Sequence, residues 1–250
     1  MSAEDFMNRG EETLKKIRTT QLSAIKKAAS WIADSVANSG ALHYFDRGHC
    51  TGELLGRAGG LFAIYPIGLN VNVDHSRPPS CPERTLPPSQ TLASWDQNEH
   101  VLDFLLDRCY FRKGDVLLLC SVSGSSSIIV NLALGAQKRG VKTIAITSPT
   151  YSKSIKSHHP SGKFLYQVAD LVIDNCGEVG DALLEIPGLD SRACPSSGLA
   201  FVYIAWSLIA QVLRNLTERG IKPQVYKSVN LPDGPAFNEK ARAIYERTGI

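Results

Sequence analysis

Short apolar runs alternate along the chain with longer segments in which apolar residues recur at helical spacing, the pattern of strands and helices taking turns. Ile17, Leu22, Ile25, Ala28, Ala29, Ile32 and Val36 form one stripe, which predicts a long helix over residues 11–37 that stops before Gly40. Residues 41–45 predict a first strand, 51–57 a second helix ended by Gly59 and Gly60, and 61–65 a second strand closed by Pro66. A third helix is predicted over 102–110, a third strand over 116–120 and a fourth helix over 126–139. Strands over 141–147 and 171–174, a strongly apolar helix over 198–219 and a short helix over 236–246 complete the pattern. Residues 68–94 are rich in proline and polar residues and lack periodicity, as in a functional lid, a partner contact or a disordered excursion.

Strands alternating with helices imply an α/β fold: a three-layer sandwich around a doubly wound parallel sheet, both faces covered. With a flavodoxin-like strand order of 2-1-3-4-5, ligands bind beyond the carboxyl ends of the first and third strands, where the order reverses. Two unusual loops, residues 46–50 and 121–127, leave those two ends. The division expected is an N-terminal helical segment, 1–40, packed on the domain or in a dimer interface, and a domain over 41–250.

Composition narrows the function. The 250 residues are 43% apolar and 20% charged with a net charge of +3, ordinary for a soluble globular protein. Lysines and arginines are scattered rather than striped, which argues against nucleic acid as a partner. No apolar stretch is expected to span a membrane, and the polar, acidic start Met1-Ser2-Ala3-Glu4-Asp5 is unlike a signal peptide, so a cytoplasmic location is expected. Among the six cysteines no pair has the close spacing of a zinc ribbon or redox motif. Cys109 and Cys120 read as small core residues. Cys50 lies in a loop, without a sign of the depressed pKa a nucleophile needs. Neither a Walker A sequence nor a Gly-x-Gly-x-x-Gly after the first strand is present.

The candidate chemistry centres on Ser121-Val122-Ser123-Gly124-Ser125-Ser126-Ser127, five hydroxyls and a glycine between a buried strand and a helix. Such a turn offers free backbone N–H groups, the positive end of a helix dipole and compact side-chain donors, which together suit a phosphate. Helix capping is the simpler reading, yet a cap needs one serine. In the neighbouring loop, His49 and Glu53 are four residues apart and share a helix face. Two functional readings compete for them, an acid/base couple or two ligands of a divalent metal, beside the plain reading of a surface pair. Arg47 is placed to reach a phosphate, and Arg57 is one turn beyond Glu53 and a natural ion-pair partner. His158 and His159 lie in a polar loop. Asp181 and Glu185 suit a helix N-terminus, while Ser196 and Ser197 read first as N-caps and second as ligand donors.

These segments resemble the sugar isomerase (SIS) domain family, and within it a stand-alone, phosphoheptose-isomerase-like branch. The likeness rests on Arg47-Gly48-His49, Glu53-Leu54-Leu55-Gly56-Arg57-Ala58-Gly59-Gly60, Ser121 to Ser127, His159-Pro160-Ser161-Gly162-Lys163, Ala169 to Asn175 and Asn230-Leu231-Pro232. The resemblance implies a five-stranded parallel sheet between helices. It also implies a phosphosugar whose phosphate is held by Ser121, Ser123, Gly124, Ser125, Ser126 and Ser127, with Arg47, Gly48, His159, Ser196 and Ser197 as further contacts. Homodimers or homotetramers are expected, with no cofactor required by the sequence. In the family's phosphoheptose isomerases a His and a Glu four apart bind a metal, a pair that His49 and Glu53 resemble. The first loop, Asp46-Arg47-Gly48-His49-Cys50, is poorer in glycine than the family's common form. The leading expectation is an aldose–ketose isomerase of a phosphorylated sugar, with Glu53 and His49 handling protons. The alternatives are an amino-sugar phosphate lyase or etherase, and a non-catalytic phosphosugar sensor.

Overall fold

A computed structural model describes residues 3–49, 51–69 and 99–250. Helix α1 (Ala3–Ala37) leads into β1 (Leu42–Asp46), the short α2 (Thr51–Leu54) and β2 (Ile64–Pro66). After α3 (Glu99–Leu106) come β3 (Val116–Cys120), α4 (Ser127–Lys138) and β4 (Lys142–Thr147). Two single turns, α5 (Pro149–Ser152) and α6 (Leu165–Val168), precede β5 (Leu171–Asp174). A hairpin of β6 (Ala182–Leu184) and β7 (Ala193–Pro195) then leads to α7 (Ser197–Glu218) and α8 (Gly234–Thr248). The main sheet is parallel, five-stranded among the described residues and ordered β2-β1-β3-β4-β5, which puts the switch point between β1 and β3 as expected.

Alternation along the strands builds two cores. In β3, Val116, Leu118 and Cys120 face the side covered by α1 and α7, where Ile17, Ile32, Phe201 and Leu208 are buried. Leu117 and Leu119 face the other side and meet Leu106 of α3 with Ile128, Ile129 and Leu132 of α4. Each of these leucines, being essentially inaccessible, contributes about 1.5–3 kcal/mol of apolar burial. A strand inaccessible on both faces has no polar positions to show, hence the continuous apolar run.

Several boundaries differ from the sequence reading. Helix α1 begins at Ala3 rather than residue 11, because its first turns are held by Gly10 against Leu199 of α7 and by an Arg9–Glu178 ion pair. The predicted helix over 51–57 shrinks to Thr51–Leu54, ended by Gly56 in the left-handed region (φ 71°). Leu61 and Phe62 do not belong to β2. They run antiparallel beside residues 224–226, with Phe62 N–H donating to the Gln224 carbonyl at 3.1 Å and the Phe62 and Tyr226 rings stacked at 3.7 Å. Asp181 to Glu185 is not a helix start: Gly180 (φ 80°) and Asp181 (φ 65°) turn the chain into the β6–β7 hairpin. Helix α7 is long and apolar enough to cross a bilayer by composition alone, contrary to the expectation above. Here it is a core helix, with Phe201, Ile204, Leu208 and Val212 buried against α1 and the sheet. Cys50, and residues 70–94 of the predicted loop, lie outside the described residues.

Candidate functional site

Pairing between β1 and β3 continues past the strands, since Arg47 N–H donates to the Cys120 carbonyl at 3.1 Å. The Arg47–His49 loop and the serine turn therefore leave the sheet side by side. Beyond Cys120, Ser121 N–H still bonds the Ile146 carbonyl of β4 (3.1 Å), and the Val122 carbonyl receives Ser148 N–H (2.8 Å) and the Thr147 hydroxyl (3.0 Å). The turn is thus fixed at its base by two strands. Its far side is fixed as well: Leu165 N–H donates to the Gly124 carbonyl (2.8 Å), His158 N–H to the Ser125 carbonyl (2.9 Å) and the Ser152 hydroxyl to the Ser123 carbonyl (2.7 Å).

With the backbone held this way, the five hydroxyls take different roles. Ser121 Oγ accepts Gly124 N–H at 3.2 Å and closes the turn, while Ser127 Oγ donates to the His158 carbonyl at 2.9 Å. Ser123 and Ser125 share a hydrogen bond at 3.0 Å. Ser126 occupies the N-cap position of α4 with extended backbone (φ −72°, ψ 144°), yet its side chain makes no cap bond. Its Oγ is shielded from solvent and has no hydrogen-bond partner. The capping role that would explain a serine here is absent, and the first turn of α4 keeps its donor capacity for an outside acceptor.

The second loop is arranged differently. His49 N–H bonds Asp46 Oδ1 at 3.0 Å, and Gly48 supplies a φ of 100° that brings the loop round. The His49 ring stacks on Phe201 of α7 with centroids 4.8 Å apart. Glu53 does not meet His49: it forms a bidentate pair with Arg57, Nε to Oε2 at 3.0 Å and Nη2 to Oε1 at 2.5 Å. That pairing raises the Arg57 pKa through its hydrogen bond first and its charge second. Among the described residues, no group of three or more His, Cys, Asp or Glu side chains converges as a metal site. His49, stacked on Phe201, and Glu53, held by Arg57, do not fit a metal ion as placed.

Other candidate residues belong to the site's scaffold. His159 is buried, its Nδ1 in a 2.7 Å bond with Ser161 Oγ and its Nε2 in a 2.9 Å bond with Asn131 Oδ1, so both ring nitrogens are used within the chain. Ser196 and Ser197 answer to Asp181: Oδ1 accepts Ser197 N–H (2.9 Å) and Oδ2 accepts Ser197 Oγ (2.6 Å), with Ser196 Oγ at 3.3 Å from Oδ1. The N-terminus of α7 is capped by a carboxylate from the hairpin rather than by its own serine. Sequence reading did not single out Thr147, Ser148, Ser152 or Leu165, which fix the serine turn. The Ser148-Pro149 pair, an N-cap followed by proline at N1, was the available signal. A broad surface concavity of about 630 Å³ between α1 and Tyr203 holds none of the candidate residues.

A doubly wound parallel sheet with a serine–glycine turn at its switch point defines the class of protein. A family model described as the SIS domain matches residues 5–148, and the chain belongs to that family. A UPF0309 protein from Caldanaerobacter subterraneus subsp. tengcongensis is 33% identical over 242 residues, covering 94% of this chain and 93% of the relative. Another UPF0309 protein, from Shouchella clausii, is 32% identical over 244 residues, with 96% and 89% covered. Phosphoheptose isomerase from Neisseria gonorrhoeae is similar in fold, with a TM-score of 0.51 at 14% identity over 84% of this chain and 95% of that one.

Proposed function

We propose that the protein binds a phosphorylated sugar, its phosphate at the turn from Ser121 to Ser127, and interconverts the aldose and ketose forms. The observation that carries this reading is Ser126 Oγ, a shielded hydroxyl without a partner at the N-terminus of α4. Leaving such a group unsatisfied costs about 1–3 kcal/mol, which a phosphate oxygen would recover. The same anion would meet the uncapped N–H groups of α4 and the positive end of its dipole. Membership of the SIS domain family, and the fold shared with a phosphoheptose isomerase, support a phosphosugar as the anion's source.

Isomerisation moves a proton between adjacent carbons and needs a group of near-neutral pKa beside the carbonyl. His49 is the residue assigned to that role, from the loop next to the serine turn, with Glu53 assisting at the sugar hydroxyls and the exposed Arg47 reaching the phosphate. Glu53 must first leave Arg57. Their pair is solvent-exposed, and water screens it, so it is readily released.

That same pair favours a second reading, a phosphosugar sensor in which Glu53 stays with Arg57 and no proton moves. A thermal-shift panel of aldose and ketose phosphates, with and without divalent metal, tests the common premise, because a ligand of the folded state raises its melting temperature. Incorporation of solvent deuterium into a stabilising sugar then identifies the isomerase. Binding without incorporation identifies the sensor. A panel in which no sugar phosphate shifts the transition overturns both readings.

A further inference from the structure

The opposite end of the sheet carries a second set of groups that the serine turn does not use. His43 in β1 and Asp115, just before β3, are both buried, and His43 Nε2 lies 3.0 Å from Asp115 Oδ2. Asp115 also accepts Ala41 N–H on Oδ1 (2.9 Å) and Arg112 N–H on Oδ2 (2.8 Å), so the carboxylate holds three donors from the chain. A carboxylate is an acceptor, so Nε2 is the nitrogen that donates to Asp115, and the tautomer this contact selects carries its lone pair on Nδ1. Among the described residues the bond seen for this ring is the one at Nε2. The ring is only 5% exposed and lines a cavity of about 330 Å³. That volume falls within the range of small-molecule sites.

The other walls specify what would fit. Tyr65 and Tyr110 supply aromatic surface, with Tyr110, 93% exposed, at the rim, and Gly249 closes one side without a side chain. Arg112 lines the same cavity and spends Nη2 on the Ser39 carbonyl (2.6 Å). No acidic side chain among the described residues pairs with its guanidinium, so its other donors remain for an anion. We propose that this cavity is a second ligand site, for a small carboxylic acid carrying a hydroxylated ring. The carboxylate pairs with Arg112, the ring lies against Tyr110 and Tyr65, and a ring hydroxyl donates to His43 Nδ1. Asp115 is a positioning residue, fixing the tautomer and orientation of His43. The site is independent of the phosphosugar reading, because it lies at the amino ends of β1 and β3.

Titration calorimetry of the full chain with 4-hydroxybenzoate and with D-glucuronate tests the proposal, alongside the imidazole NMR shifts of His43. Saturable binding is expected for at least one probe, with a shift of the His43 signals. Affinity should fall about tenfold or more in Arg112→Gln, since a charge-assisted contact is lost, and fall in Tyr110→Ala, while Ser126→Ala binds as the parent does. Both rim substitutions are at exposed positions that the fold tolerates. Failure of both probes to bind, or affinities unchanged in Arg112→Gln and Tyr110→Ala, overturns the assignment.

Discussion

Gly124 and Leu165 are in contact through main chain and side chain at once. Leu165 N–H donates to the Gly124 carbonyl at 2.8 Å, and a Cβ on Gly124 would sit 2.8 Å from Leu165 Cβ and 3.1 Å from Thr147 Oγ1. With φ at 56°, position 124 is also in the left-handed region. Gly124→Ala therefore meets a steric and a conformational cost together, about 1–3 kcal/mol from the backbone alone. A lowered urea midpoint is expected, together with loss of sugar phosphate binding as the turn shifts.

Ser126 and Ser127 are adjacent and should behave oppositely. Ser126→Ala removes a shielded hydroxyl that bonds nothing in the chain, so the ligand-free protein should be at least as stable as the parent, by up to about 1–3 kcal/mol more. Phosphate-ester affinity should nevertheless drop about tenfold, the worth of one good hydrogen bond to a charged group. Ser127→Ala breaks the bond to the His158 carbonyl and should cost about 1 kcal/mol of stability. Chemical denaturation and calorimetry of the two variants separate these outcomes.

The overall fold was legible from the sequence because each strand is a short apolar run and each long helix has a stripe. The burial of β3 and the placement of the switch-point loops followed directly. What could not be read were contacts between segments far apart in the chain. Asp181 gave the local signal of a helix start, but it caps a helix that begins at Ser197, on the other side of a hairpin. His159 read as a polar loop residue, whereas Asn131 and Ser161 satisfy it inside the fold. Spacing put His49 and Glu53 on one face, but it could not show that Phe201 takes the imidazole and Arg57 the carboxylate.

Asp181→Ala tests the remote cap. It strands the buried Ser197 N–H and hydroxyl, at a cost of about 1–3 kcal/mol, and Asp181→Asn should recover part of that loss through its remaining carbonyl. Hydrogen exchange should report the damage in the first turn of α7 before the middle of the helix.

Asp174 gives a pH dependence of defined sign. Burial raises its pKa above the ordinary 3.8, outweighing the Cys176 N–H bond that lowers it. A carboxyl whose pKa is raised on folding binds more protons in the folded state, so its contribution is full below the unfolded value and is lost as pH rises through the folded one. Asp174→Asn should therefore be more stable than the parent at neutral pH, with the difference vanishing in acid below the ordinary carboxylate value. Melting curves of the two proteins across that range provide the check.

The two margins of the main sheet bear on how the chain behaves when crowded with copies of itself. At one margin β2 is only three residues long and ends in Pro66, which offers no N–H, and the chain just before it is already matched to residues 224–226. At the other, the main-chain N–H of Asp174 is taken by the Gln21 side chain from α1 (3.0 Å). Neither margin presents a long row of free peptide groups to a neighbouring molecule. Among the described residues, growth of the sheet by strand-to-strand pairing between molecules is thereby disfavoured at both margins.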